Sequence, residues 1–154
     1  VYERAEWQSN YEHEPRPKTE KFAEGATLPA NTADTTALKH IPGIGSYYAR
    51  KIVDYRERLG GFVSTSQIGE IEDLPAGITR WFVLDKTDKP RQLRINHATF
   101  KQLVRHPYLS YEQTKIIVTH IRQYGAIRSW RDLQLYKEFT QNDFKRLAPY
   151  ISFK

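Results

Sequence analysis

The most regular pattern of apolar and polar residues in the chain lies between Ser46 and Leu59. Apolar residues recur there three and four positions apart, which places them on one face of an α-helix. Gly60 and Gly61 follow, and a glycine in the left-handed conformation commonly ends a helix. The pattern therefore predicts an amphipathic helix from about Ser46 to Leu59, with an apolar face made of Tyr48, Ala49, Ile52, Val53 and Tyr55.

A shorter helix is predicted just before it. Asn31 is a residue type that often caps the N-terminus of a helix, and Leu38 and Ile41 continue an apolar face. Pro42 and Gly43 then stop this helix. We therefore expect two helices joined by a tight turn at residues 42–45.

The same arrangement returns 65 residues later, without gaps. The matches fall together on turn, cap and apolar positions, so chance agreement is improbable. Identical pairs are Leu28 and Leu93, Asn31 and Asn96, Ala33 and Ala98, Leu38 and Leu103, Pro42 and Pro107, Ile52 and Ile117, Val53 and Val118, Gly60 and Gly125, and Ser64 and Ser129. The repeat predicts two tandem units, residues 28–91 and 92–154, after an extended arm or linker at residues 1–27.

Cap signals predict the remaining helices. In unit one, Ser64 and Gln67 have the spacing of a capping box, and a further helix is expected over residues 78–83. In unit two, similar pairs start three helices, and Gly125 ends the first of them. Strand signals are weak, so the predicted fold class is all-α, with four helices in each unit. The pairs in unit two are Ser110 with Gln113, Ser129 with Asp132, and Thr140 with Asp143, whose helix ends before Pro149.

The arm at residues 1–27 has two prolines, mixed charge and no helical or alternating pattern. Trp7 and Tyr11 are candidates for docking onto an upstream domain. The chain opens at Val1 without a methionine, and we expect an anchor or leader to precede it in the full protein.

Charge is unevenly distributed and suggests a class of partner. The chain has a net charge of +6 and an isoelectric point of about 9.5. Net charge is −2 in residues 1–27, +1 in residues 28–92 and +7 in residues 93–154. A basic surface suits a polyanion, either a nucleic acid or an anionic membrane surface. Solvated lysines on a soluble protein remain the alternative.

The turn at residues 42–45 carries the most specific chemistry. Its two glycines allow positive φ and leave no Cβ in the way of an approaching backbone, while Ile44 between them can turn inward to the core. The amides that begin the second helix then stay unpaired, and together with the helix dipole they form an anion site. A Pro-Gly turn alone would be only a helix connection, but basic residues follow one turn later. The candidate phosphate-binding residues are Gly43, Ile44, Gly45, Ser46, Tyr47, Arg50 and Lys51.

These residues resemble the helix-hairpin-helix family, and more closely its ComEA-type competence proteins, which receive DNA for uptake. The resemblance rests on three motifs and covers residues 28–74 well and residues 93–151 more loosely. The motifs are Asn31-Thr32-Ala33, Pro42-Gly43-Ile44-Gly45 and Gly60-Gly61-Phe62.

The resemblance implies several expectations. The fold is two four-helix units of the SAM-like or RuvA C-terminal-like type, and the partners are double-stranded DNA and proteins of an uptake or repair assembly. The location is bacterial, membrane-anchored and facing the periplasm or exterior. Related turns can hold a monovalent cation on carbonyls, here those of Ile41 and Ile44. The family's second hairpin has lost its double glycine near residues 76–78 and 139–141, so no phosphate is assigned there.

Unit two departs from the family pattern at its turn. Tyr108, Leu109 and Ser110 replace the Gly-Ile-Gly of unit one, and the tyrosine puts a large side chain where backbone should approach DNA. Ser110 is expected to cap its own helix, so the anion site is weakened or lost. The basic residues of this unit are either secondary DNA contacts or a solvated surface. The candidates are Arg105, Lys115, Arg122, Arg128 and Arg131.

Several function classes find no support in the sequence. Cysteine is absent, and the histidines lack metal-ligand spacing with acidic residues, so no transition-metal site is predicted. No Ser/His/Asp set, phosphate-loop lysine or paired acid motif is present, and Asp54 is expected at the surface. We expect no enzyme activity, no cofactor and no small-molecule substrate. The histidines are His13, His40, His97, His106 and His120.

Two functional hypotheses remain. The first is sequence-independent binding of duplex DNA. In it, the hairpin of unit one positions the phosphate contact, and the basic residues of unit two add a positive electrostatic field. The second is a protein-interaction or scaffold module built from degenerate repeats. Aromatic residues could also stack on single-stranded bases, although their spacing favours the core; they are Trp81, Phe82, Tyr108, Tyr111, Trp130, Tyr136 and Phe144.

Overall fold

The computed structural model describes residues 19–154. Within them the chain is mostly helical and contains two tandem helical units, which confirms the predicted fold class. Most of the predicted arm, including Trp7, Tyr11 and His13, falls on residues 1–18 and so lies outside the described residues. Residues 19–27 run as irregular chain with one turn.

Unit one is closed by two short parallel strands at its ends. Strand β1 (Leu28–Pro29) pairs with β2 (Phe82–Val83). Between them lie helix α1 (Thr35–Leu38) and helix α2 (Ser46–Leu59). Two 3₁₀ helices follow, Thr65–Glu70 and Ile78–Trp81.

Unit two repeats this plan. Strand β3 (Leu93–Arg94) pairs in parallel with β4 (Ile151–Ser152). The elements between them are α3 (Phe100–Arg105), α4 (Tyr111–Tyr124), a 3₁₀ helix at Trp130–Leu133, α5 (Gln141–Leu147) and a 3₁₀ helix at Ala148–Tyr150.

Helix α2 has the bounds that its apolar pattern predicts. Ala49, Ile52 and Leu59 are buried on its inner face. Gly60 ends the helix in the left-handed conformation, with φ of 98°, and its amide donates to the Arg56 carbonyl at 3.0 Å. A side chain at Gly60 would also meet the Arg91 carbonyl oxygen at 2.5 Å from its Cβ. Glycine is therefore required here both by conformation and by the close linker backbone.

Asn31 has a different role from the predicted one. Helix α1 is capped by Asp34, whose Oδ1 accepts from the Ala37 amide at 2.8 Å. Asn31 instead accepts from the Phe62 amide at 2.7 Å and donates to the Phe62 carbonyl at 2.9 Å. Its side-chain amide is both donor and acceptor, so it satisfies two main-chain groups of the turn that follows α2. The capping prediction for Asn31 was therefore wrong.

The equivalent asparagine in unit two makes the same pair of bonds. Asn96 accepts from the Ile127 amide at 2.7 Å and donates to its carbonyl at 2.8 Å. Both partners lie 65 residues beyond their counterparts in unit one, which confirms the repeat over this part of the chain. The offset does not hold to the end, because Leu28 pairs with Phe82 and Leu93 with Ile151, so the last strands lie 69 residues apart. Unit two therefore contains four additional residues before its last strand, and the prediction of a repeat without gaps was wrong over this part of the chain.

Three of the four predicted capping pairs are confirmed. Reciprocal side-chain and main-chain bonds are present at Ser64, Ser110 and Thr140, with their partners three residues on. A 3₁₀ helix does begin after Ser129, as predicted, but the Ser129 side chain makes no cap bond, and Asp132 accepts from the Arg128 amide at 2.8 Å. The helix predicted over residues 78–83 ends at Trp81, since the next two residues pair with β1.

The two units share a buried polar contact. Gln67 of unit one donates to the hydroxyls of Tyr108 and Tyr150 of unit two, each at 2.9 Å. The Tyr108 hydroxyl donates to Glu70 Oε2, and the Tyr150 hydroxyl donates to the Gly61 carbonyl, both at 2.8 Å. Burial raises the pKa of Tyr150 to about 12, so this hydroxyl stays a donor at neutral pH. These bonds fix the orientation of unit two against the end of α2.

His106 completes the same interface and is held neutral. It is 2% exposed, and its Nε2 donates to the Leu59 carbonyl at 3.0 Å. Its Nδ1 accepts from the Tyr108 amide, also at 3.0 Å. Desolvation by burial is the main reason why the pKa of His106 falls to about 4. Protonation would remove the acceptor at Nδ1 and place a charge in the core.

We expect the stability of the protein to fall between pH 7.5 and pH 5.0. Because the pKa of His106 is lowered in the folded state, the unfolded chain binds the proton first and unfolding is favoured as the pH falls. This residue should contribute a loss of about 2 kcal/mol at pH 5.0, as measured by urea denaturation. The His106→Gln variant should lack this part of the pH dependence. Parallel pH profiles for the two proteins would contradict the assignment.

Candidate functional site

The turn between α1 and α2 is built around one buried side chain and two exposed glycines. Gly43 has φ of 87°, a conformation that side chains disfavour. Ile44 is fully buried, as predicted, and its amide donates to the Ile41 carbonyl at 3.0 Å. Gly45 is the N-cap of α2 and offers no side-chain cap to it. The turn is thus anchored by Ile44 while its outer edge is bare backbone.

Three successive amides at this edge have no acceptor among the described residues. They belong to Gly45, Ser46 and Tyr47, all of which are exposed. The first helical bond of α2 is made by Ala49, whose amide donates to the Gly45 carbonyl at 3.0 Å. The open N–H groups and the positive end of a 14-residue helix point in the same direction. Such an arrangement binds an oxygen anion.

Other residues of the predicted phosphate set differ in their availability. The Ile44 amide is already paired within the turn, so Ile44 contributes packing and offers no open N–H group. Arg50 is exposed and forms no ion pair with any described residue. Lys51 donates to the Glu72 carbonyl at 3.1 Å and lies 3.6 Å from Asp73 Oδ2. Arg50 therefore holds the freer positive charge next to the open amides.

The opposite side of the turn presents carbonyl oxygens. The carbonyls of Ile41 and Ile44, which the resemblance marks for a monovalent cation, accept from Lys21 Nζ at 3.4 and 2.9 Å. The same ammonium donates to the Lys39 carbonyl at 2.5 Å. A positive charge from the chain itself already lies on these oxygens, so they do not fit a metal ion in this arrangement. Sequence reasoning missed Lys21, because it placed this residue in the arm.

The equivalent turn of unit two has lost part of the anion site. The Ser110 amide, the counterpart of the open Gly45 amide, is paired, while the Tyr111 and Glu112 amides have no acceptor among the described residues and lie beside the acidic side chain of Glu112. The Tyr108 amide donates to His106 Nδ1, the Leu109 amide donates to the His106 carbonyl, and the Ser110 amide donates to Gln113 Oε1, all at 3.0 to 3.1 Å. Ser110 also caps α4, as predicted. Tyr108 is buried against unit one. The loss of the glycines thus coincides with the use of this turn as a contact between units.

The predicted secondary contacts of unit two all lie on the surface. None of them belongs to an ion pair between described residues, since the three pairs formed there join residues 51–91. Their charges are therefore free to act outward. The exposed residues are Arg105, Lys115, Arg122, Arg128 and Arg131.

The second turn of unit one lies beside the first. Pro75 would contact a side chain placed at Gly43, at 3.4 Å from its Cβ. Gly77 has φ of 74° and begins the 3₁₀ helix Ile78–Trp81. Glu72 and Asp73 precede it, and their carboxylates oppose a phosphate. The two acidic side chains make this turn less favourable for an anion than the first one.

Other candidate features of the described residues are structural. No group of three or more histidine or acidic residues between 19 and 154 could hold a metal ion. None of the helices between residues 19 and 154 combines the length and the hydropathy that a membrane-spanning segment needs. Asp54 is exposed, as predicted, and lies 3.2 Å from Arg58 Nε. Of the aromatic candidates, Trp81, Phe82, Tyr108 and Phe144 are buried, Trp130 and Tyr136 are half-buried, and Tyr111 is exposed.

Comparison with known proteins supports the assignment of two repeated modules. A model of the helix-hairpin-helix motif matches residues 26–78 and again residues 89–152, which together make up most of the chain. No curated protein and no solved structure matches the chain.

Proposed function

The chain belongs to the helix-hairpin-helix motif family, and from that premise we propose that it binds duplex DNA through backbone phosphates, without sequence preference. Motifs of this kind are generally nucleic-acid binding. One observation carries the proposal: the three open amides of Gly45, Ser46 and Tyr47 at the start of α2. Phosphate oxygens accept hydrogen bonds from such amides and are favoured by the helix dipole.

The charges around the turn extend this contact. Arg50 lies one helical turn beyond the amides, is exposed, and can donate to the same phosphate or its neighbour. The exposed arginines and lysines of unit two supply a further positive surface for the duplex backbone. These side chains provide the positive charge behind the net charge of +7 in residues 93–154.

Recognition of phosphates rather than bases follows from the same features. Phosphates and sugars carry no direct sequence information. Four of the aromatic candidates for stacking on unpaired bases are buried in the core, which disfavours a single-strand platform. The proposed role is a binding role without catalysis.

The process that this binding serves is, in this proposal, DNA uptake, with DNA repair as the alternative. Support for uptake comes from the resemblance of residues 28–74 to ComEA-type competence proteins. Proteins of an uptake or repair assembly are the proposed further partners.

A salt titration of duplex binding tests the proposal. The logarithm of the binding constant should fall linearly with the logarithm of salt concentration, by about 0.9 for each phosphate contacted. Arg50→Gln should weaken binding and lower the magnitude of this slope by about 1. Duplexes of unrelated sequence should bind with similar affinity in fluorescence anisotropy.

Lys89→Gln is the matched control, because it removes the same charge at the other end of α2. The next residue, Pro90, lies beside Gly61, which follows the C-terminal end of α2, whereas the hairpin lies at the N-terminal end of that helix. The slope of this variant should stay closer to that of the wild type. Equal slopes for Arg50→Gln and Lys89→Gln would show that only overall charge matters.

A scaffold role is the second candidate, and the buried Tyr108 in the turn of unit two favours it. There the hairpin serves packing between units. This role requires a partner protein whose binding survives high salt, with no measurable affinity for the duplex. The titration therefore separates the two functions.

A further inference from the structure

Residues 20–22, which precede unit one, are hydrogen-bonded to His40 just after the end of α1. His40 Nδ1 donates to the Glu20 carbonyl at 2.6 Å, and the Phe22 amide donates to the His40 carbonyl at 2.7 Å. The Phe22 and His40 rings stack, with centroids 5.2 Å apart. These contacts on either side of Lys21 fix the direction of its side chain toward the hairpin.

Lys21 reaches a group of three converging carbonyl oxygens, those of Lys39, Ile41 and Ile44, which we call the carbonyl cluster. Its Nζ donates to them at 2.5, 3.4 and 2.9 Å. Within residues 19–154, the oxygens of Lys39 and Ile44 accept no main-chain amide. Without Lys21 these two oxygens would depend on solvent or a bound cation, because carbonyl groups seldom stay unpaired.

The three donors of an ammonium match three acceptors. A cluster of main-chain carbonyls is also the kind of ligand set that replaces the hydration shell of a potassium ion. We infer that Lys21 is the built-in cation of this hairpin, and that its removal turns the carbonyl cluster into a binding site for a monovalent metal ion.

The consequence for binding rests on the proposed function. The carbonyl cluster and the open amides belong to the same turn, so an ion on the carbonyls stabilises the conformation that exposes the amides. A tethered ammonium does this in any salt. Duplex affinity of the wild type should therefore depend on ionic strength and not on which monovalent cation provides it.

Thermal unfolding tests the inference without DNA. The wild type, Lys21→Ala and Lys89→Ala are melted at equal ionic strength in sodium, potassium and N-methylglucamine chloride. The wild type and Lys89→Ala should each keep one Tm in all three salts. The Tm of Lys21→Ala should fall by roughly 3–6 °C in N-methylglucamine and recover in sodium or potassium.

Three outcomes would overturn the inference: a wild-type Tm that depends on the cation, an unchanged Tm in Lys21→Ala, or an equal loss in all salts. The first needs no variant, so the inference stays testable if Lys21→Ala does not fold. Duplex binding of Lys21→Ala should fall roughly tenfold in N-methylglucamine and return in potassium. If the wild type binds no duplex, the proposed function fails while the melting curves still decide the role of Lys21.

Discussion

Replacing Gly45 with aspartate is expected to lower duplex affinity roughly a hundredfold while leaving the fold at least as stable. Gly45 has φ of −102°, and a Cβ there would meet nothing within 4 Å. An aspartate at this N-cap can accept from the Tyr47 or Tyr48 amide and so stabilise α2. The same carboxylate would occupy an amide proposed to bind phosphate and would repel the phosphate by its charge.

Two further substitutions at Gly45 separate these effects. Gly45→Ala adds a methyl group without a cap or a charge, and Gly45→Ser adds a neutral cap. Affinity measured by fluorescence anisotropy should decrease in the order Ala, Ser, Asp. The Tm should not decrease in the same order, because serine and aspartate both cap α2. If Gly45→Asp binds the duplex as well as Gly45→Ala does, the open amides have no part in binding.

Truncating Tyr108 to alanine should destabilise the protein by about 3–5 kcal/mol, the range found for large buried aromatic residues. The ring packs against His106 and Tyr150, with centroids 5.6 and 5.9 Å away, and the Arg146 guanidinium lies 3.9 Å above it. Its hydroxyl also bonds Gln67. Both the core contact and the polar contact between the units would be lost.

Urea denaturation of Tyr108→Ala and Tyr124→Ala measures this difference. Tyr124 is 73% exposed on α4, so its truncation should change stability by no more than about 0.5 kcal/mol. Tyr108→Phe should fall between them, because it keeps the ring and loses the hydroxyl. A loss at Tyr108 as small as that at Tyr124 would contradict a tight contact between the units.

Features that depend on neighbouring residues could be predicted from the sequence. The bounds of α2 follow from its apolar face and the glycine after it. The capping boxes at Ser64, Ser110 and Thr140 follow from spacings of three residues. The inward position of Ile44 follows from its place between two glycines. Each of these signals lies within one or two helical turns.

Features that depend on distant residues could not be predicted. Asn31 resembles a helix cap by type, but its partner Phe62 lies 31 residues away and offers two unpaired main-chain groups. Lys21 is one of many lysines, and only the path of the folded chain brings it to the hairpin. Tyr108 was recognised as blocking an anion, while its partner Gln67 in the other unit left no local signal.

The chain enters and leaves each unit through two neighbouring strands, because the first and last strands of the unit pair in parallel. The Ala30 amide donates to the Val83 carbonyl at 2.9 Å, and the Ile95 amide donates to the Ser152 carbonyl at 3.0 Å. Tension on the two ends of a unit would pull such strands along their length in opposite directions. The load is then shared by the bonds of the pair instead of breaking them one at a time. A protein that holds a DNA strand under traction would gain from this geometry, since its modules resist being drawn open from their termini.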